Sequence, residues 1–156
     1  MIASEIGLLH GQPRSSWIRL RTMILLRWVA IAGQLAALTT AQEIFGLQLE
    51  IGLCFLTVGV SVIGNLVAIV IFPESKRLSE FENFMMVLFD LLQLAFLLYL
   101  TGGLSNPFAL LLLGPVTISA TVLGLRSTVL IGSSAIILVT FLAMFNIPLR
   151  TEQGLI

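Results

Sequence analysis

Residues 51–72 form a run of 22 residues without one charged side chain. Wound as an α-helix at 1.5 Å per residue, such a run reaches about 33 Å, the thickness of a bilayer's hydrocarbon core. A helix apolar on every side has no face to offer water, so lipid or a large protein core must surround it. Four further runs recur along the chain, at about residues 22–41, 84–101, 107–125 and 127–147. Only Arg27 interrupts the first and only Asp90 the third. The fold class expected is therefore an all-α integral membrane protein, a polytopic bundle of five transmembrane helices. Composition agrees, with 58% hydrophobic and 10% charged residues and a mean hydropathy of +1.07. A soluble domain of this length could not bury that much apolar surface.

Several functions are excluded on the same grounds. Eight basic and eight acidic residues cancel, so no basic field exists for phosphates and no nucleic-acid partner is expected. A single cysteine, Cys54, denies an intramolecular disulfide or a cysteine-cluster metal site. A single histidine, His10, lies ahead of the first apolar run. Haem held by paired histidines is thus impossible within one chain, as is an intramembrane His-plus-carboxylate centre. No haem and no metal are expected.

Orientation follows from the cationic residues. Arg14, Arg19 and Arg21 precede the first run and Arg27 sits just inside it. Lys76 and Arg77 separate runs two and three, and Arg126 separates four and five. All seven fall on one side if the N-terminus is cytoplasmic, leaving Arg150 alone outside. The connector 42–50 holds two acids and no base, as an outer loop should. Residues 1–21 then form a cytoplasmic tail, 22–147 the membrane domain and 148–156 an outer-side tail. The first run is too long for a signal-peptide core and lacks a small-x-small cleavage site, so it is read as a retained helix. Because Leu155 and Ile156 turn apolar again, a sixth span is expected to follow.

Between runs three and four stands Gly102-Gly103-Leu104-Ser105-Asn106-Pro107-Phe108. One reading is a tight helical hairpin. Glycine closes a helix in the left-handed conformation, Asn106 caps the next one, and Pro107 suits the first helical position. The other reading is a weak, exchangeable quinone site at the outer interface. Asn106 carries two amide hydrogens for a quinone carbonyl, Phe108 a ring to stack on, and Tyr99 and Thr101 nearby hydroxyls. The residues alone leave both open.

This heptapeptide resembles the GGxxNPF motif of the RegB/PrrB/ActS group of bacterial redox-responsive sensor histidine kinases. Residues Ile18 to Gln34, IRLRTMILLRWVAIAGQ, also resemble the start of that family's first membrane helix. The resemblance implies the membrane sensor domain of a two-component kinase, in the bacterial inner membrane. It implies ubiquinone as a reversible ligand at the matching positions Gly102, Gly103, Asn106, Pro107 and Phe108. It further implies a homodimer, a cytoplasmic kinase domain and a response regulator. The family's phosphate-accepting histidine and nucleotide-binding boxes are absent from these residues, so no catalytic residue is assigned.

Within the membrane, Arg27 and Asp90 each lie six or seven residues from the cytoplasmic ends of their spans, roughly 10 Å deep. Intramembrane charges are costly and tend to pair inside the bundle. Equal depth points to an ion pair, with Gln34 at i+7 and Gln93 at i+3 extending the polar seam. A snorkelling Arg27 and a protonated Asp90 are the alternatives. Asn65 is read as helix–helix glue. The leading function is thus a quinone- and redox-sensing input domain. The alternative is a small integral membrane subunit or anchor of a transporter or respiratory complex, although only Gly114-Pro115 breaks a span as a transporter would require.

Overall fold

Four helices among the described residues are long and apolar enough to cross a membrane: α1 (Leu20–Glu43), α2 (Ile51–Ile71), α3 (Glu80–Leu100) and α5 (Leu125–Met144). The computed structural model describes residues 20–44, 46–48, 50–72, 78–148, 150–151 and 154–155. The N-terminal tail with His10 and Arg14, and the connector cations Lys76 and Arg77, lie outside the described residues.

The stretch between α3 and α5 departs from the expected fourth span. It opens with a 3-10 turn at Gly103–Ser105, continues as a 3-10 helix at Pro107–Leu112, and becomes α-helical only over α4 (Leu113–Val122). Pro115 supplies the reason. It has no amide hydrogen to give the Leu111 carbonyl, and its ring crowds that carbonyl, so an α-helix cannot run through from Pro107. The tighter 3-10 winding upstream avoids the conflict and leaves Pro115 in the first turn of α4.

Helix α3 begins at Glu80, ahead of its apolar stretch, because a capping box starts it in the polar connector. The Ser79 hydroxyl accepts from the Glu82 amide at 3.2 Å, and the Glu82 carboxylate accepts from the Ser79 amide at 2.8 Å. At the same end the Ser127 hydroxyl donates to Glu80 Oε1 at 2.7 Å, tying the start of α5 to the start of α3. Gly124 makes room for this contact, since a Cβ there would lie 2.8 Å from that oxygen.

Helix α3 is the centre of the bundle. It packs against α2, α4 and α5, while α1 packs on α2. Val87 and Leu91 of α3 and Ile131 and Leu142 of α5 are fully buried. The outward faces are apolar, with Val70, Ile136 and Leu110 well exposed. Such a surface would aggregate in water and is at ease against acyl chains.

At the opposite end from Glu80, two-residue strands close the bundle. β1 (Leu47–Gln48) pairs antiparallel with β2 (Arg150–Thr151), which pairs with β3 (Gly154–Leu155). The α1–α2 connector and the segment after α5 therefore meet at one end, the end where α3 finishes. The Ile147 amide donates to the Tyr99 carbonyl there at 3.0 Å.

Candidate functional site

Two polar rungs join α1 to α3. Arg27 and Gln34 are two helical turns apart, and Asp90 and Gln93 one turn apart, so each pair lies on a single face. In the first rung Arg27 Nε stands 3.0 Å from Asp90 Oδ1, with the arginine side chain 7% exposed and the aspartate 23%. The guanidinium carbon also sits 5.2 Å from the centroid of the Phe89 ring, a cation–π distance. Nη2 makes no hydrogen bond within the protein. In the second rung the two amides exchange hydrogen bonds, Gln34 Nε2 to Gln93 Oε1 at 3.1 Å and Gln93 Nε2 to Gln34 Oε1 at 3.0 Å. Each amide thereby pairs its carbonyl with one N–H and keeps a second N–H.

A third tie links α2 to α1. Asn65, fully buried, donates through Nδ2 to the Ile24 carbonyl at 3.4 Å. Asn83 of α3 is also fully buried, and neither of its side-chain polar atoms has a protein partner. Its sequence gives no hint of this, because an asparagine at the start of a helix ordinarily faces solvent.

At the far end of α3 the GGLSNPF segment forms a closed polar turn. Gly102 (φ 93°) and Gly103 (φ 57°) both take left-handed conformations, which a Cβ would strain. Gly103 also lies against α5, where a Cβ would stand 2.8 Å from Asn146 Cβ and 2.9 Å from the Leu142 carbonyl oxygen. Asn106 is 6% exposed. Its Oδ1 accepts from the Phe108 amide at 2.8 Å and caps the following 3-10 helix, with Pro107 at its first position. Its Nδ2 donates to the Thr101 carbonyl at 3.0 Å and to Thr101 Oγ1 at 2.8 Å. Both amide hydrogens that could meet a ligand carbonyl are thus taken up inside the turn. The Thr101 hydroxyl in turn donates to the Leu97 carbonyl at 2.9 Å.

The remaining turn residues divide between two surfaces. Phe108, half-buried, lines a small cleft of about 20 Å³ together with Gln34, Thr101, Asn106 and Leu111. Tyr99 faces away from that cleft and stacks near Phe96 (ring centroids 6.4 Å apart) and Phe141 (6.3 Å). Those rings line a separate apolar groove between α3 and α5. The structure therefore brings Thr101, Asn106 and Phe108 together and places Tyr99 elsewhere.

A family model described as the PilS-like transmembrane domain matches residues 12–154. A curated protein named sensor histidine kinase RegB, from Cereibacter sphaeroides, is 54% identical over 154 residues, covering 99% of this chain and 33% of that protein. A second of the same name and species is 55% identical over 96 residues, covering 62% of this chain and 21% of its own length. The chain thus spans about a third or less of the curated relatives it matches. No solved structure matches it.

Proposed function

Since the chain belongs to the PilS-like transmembrane domain family, we propose that it is the membrane input domain of a RegB-type sensor histidine kinase that reads the quinone pool. The observation that carries the proposal is the 54% identity across 99% of the chain to a protein named as such a kinase. Phosphotransfer belongs to a cytoplasmic kinase core outside this chain, acting on a response regulator, with the domain working as a homodimer in the bacterial inner membrane.

Five membrane crossings fit these dimensions. The 3-10 helix Pro107–Leu112 rises about 2 Å per residue and α4 about 1.5 Å. Together they reach about 27 Å, close to the hydrocarbon thickness despite their shortness. The arrangement with a cytoplasmic N-terminus puts Arg21, Arg27 and Arg126 on the inner side and the GGLSNPF turn at the outer interface, beside the β1–β2 pairing.

Ubiquinone is a suitable signal for such a site, as its tail stays in lipid while its head meets polar groups. The turn's glycines, Asn106 and Pro107 fix the outer ends of α3 and the fourth segment, and Phe108 offers a ring face at the cleft. The work is reversible binding, with no bond made by these residues. The test is titration of ubiquinone into the nanodisc-embedded chain. Saturable binding, weakened in the double variant Asn106→Ala/Phe108→Ala, is expected. Equal affinity for wild type and double variant would remove the turn from the site.

A further inference from the structure

The cleft at the turn is far smaller than a quinone ring, but it continues into a larger space. Beneath it lies a cavity of about 360 Å³ bounded by α1, α3 and the fourth segment. The two share Gln34, Leu94 and Leu111 as wall residues. The cavity's volume falls within the range of small-molecule sites, roughly 300–1,000 Å³. Its rim includes Leu26, Val29 and Leu111, all exposed on the apolar outer surface, so its mouth faces the lipid. Its polar lining gathers Arg27, Asp90, Gln34 and Gln93 on one side, opposite the broken helix at Gly114-Pro115.

Resting on the quinone reading above, we propose that this cavity, whose polar groups lie about two to three turns deeper than GGLSNPF, is where the head group binds. Four observations converge on it. Arg27, more than nine-tenths buried, forms part of its wall, with Nε toward Asp90 and Nη2 turned to Gly64 of α2, 3.6 Å from where a Cβ would stand. The two glutamines each keep an unpaired N–H beside it. The fourth segment, which changes from 3-10 to α-helical winding at Leu112–Leu113, supplies Leu111, Gly114, Pro115 and Ile118 to the wall. Two glycines in the wall, Gly33 and Gly114, have nothing within 4 Å of where a Cβ would stand.

The chemistry discriminates redox states. A guanidinium and an amide N–H can only donate, which suits a quinone carbonyl; an ionised carboxylate can only accept, which suits a quinol hydroxyl. The oxidised ring competes with Asp90 for Arg27, whereas the reduced ring bonds to Asp90 itself. Either way the ligand acts on the rung that joins α1 to α3, so occupancy and helix position are coupled. The turn then serves as the scaffold that holds the outer end of this pocket.

The test uses a short-tailed ubiquinone analogue titrated into the nanodisc-embedded chain, with Gly33→Leu and Gly114→Leu filling the cavity. Both substitutions project into open space and leave the turn untouched. Each is expected to raise the Kd at least tenfold while helical content and melting temperature stay at wild-type values. An unchanged Kd in both filled variants, with binding lost in Asn106→Ala/Phe108→Ala, would return the head group to the turn and overturn this proposal alone. Absence of saturable binding by the wild type would overturn the quinone reading with it. A second measurement needs no variant: photolabelling of wild type with an azidoquinone. Label within residues 111–118 and 30–34 is expected, and label confined to 104–108 would refute the cavity.

Discussion

Replacing Asp90 by asparagine keeps the side chain's shape and removes its charge, which isolates what the Arg27 rung contributes. Two unit charges 3.0 Å apart attract by about 5 kcal/mol at an effective dielectric near 20. The desolvation of both groups offsets much of this, so the net worth of the pair is small compared with the damage of breaking it. With Asp90 neutral, the Arg27 charge stays enclosed at 7% exposure and keeps only the Phe89 ring face, worth about 1–2 kcal/mol. Breaking one partner of a buried pair costs about 3–5 kcal/mol in soluble proteins, and polar contacts between membrane helices reach only about 1.7 kcal/mol. Asp90 is partly open to the cavity, so the expected loss for Asp90→Asn lies between these, about 2–3 kcal/mol. The apolar double variant Arg27→Met/Asp90→Leu leaves no stranded charge and is expected within about 1 kcal/mol of wild type. The assay is reversible unfolding in mixed micelles with increasing dodecyl sulfate, followed by far-ultraviolet circular dichroism, for Asp90→Asn and for the cycle of wild type, Arg27→Met, Asp90→Leu and the Arg27→Met/Asp90→Leu double variant. A coupling energy of about 2 kcal/mol is expected. Additive effects, within about 0.5 kcal/mol, would mean that the two residues do not act together and would refute the reasoning.

Three further outcomes follow from the same geometry. Gly103→Ala meets Asn146 and the Leu142 carbonyl at under 3 Å in a left-handed backbone, so a loss of about 2 kcal/mol or more is expected in the same unfolding assay; Gly33→Ala, with open space around it, is expected to be neutral or slightly stabilising. Asn106→Asp keeps the cap on the Phe108 amide but strips both donors to Thr101, and thermal melts should show a loss of about 1–2 kcal/mol, with Asn106→Ala losing more. Ser79→Ala removes one half of the capping box and is expected to cost about 1 kcal/mol, seen as faster amide exchange in residues 80–83 with the rest of α3 unchanged.

What could be read from the chain and what could not have different physical origins. Long apolar runs announce helices because bilayer thickness and helix rise leave few alternatives. The start of α3 escaped this logic, since the helix begins where Ser79 and Glu82 cap each other and not where the residues turn apolar. The fourth segment announced its break through Gly114-Pro115, but the 3-10 winding before it depends on where Pro115 meets the Leu111 carbonyl. Equal depth pointed to Arg27 and Asp90 as partners but left a snorkelling arginine and a protonated aspartate open, and helical spacing put Gln34 and Gln93 on the same seam without showing that their amides meet. In the turn, the cap from Asn106 and the place of Pro107 are local rules that the residues state directly. The use of Asn106's amide hydrogens was hidden, because Thr101 faces them only after left-handed Gly102 reverses the chain. The cavity was invisible for the same kind of reason. It is a space between three elements, and no spacing within any one of them encodes it.

The most direct test joins this domain to the cytoplasmic core of a RegB-type kinase, places the fusion in proteoliposomes whose ubiquinone pool is set oxidised or reduced, and measures autophosphorylation. Rates that differ several-fold between the two pools are expected, with the difference lost in Gly114→Leu although the fusion remains active. Equal rates in the two pools, with ubiquinone present at saturating levels, would contradict the claim that this membrane domain reads the quinone.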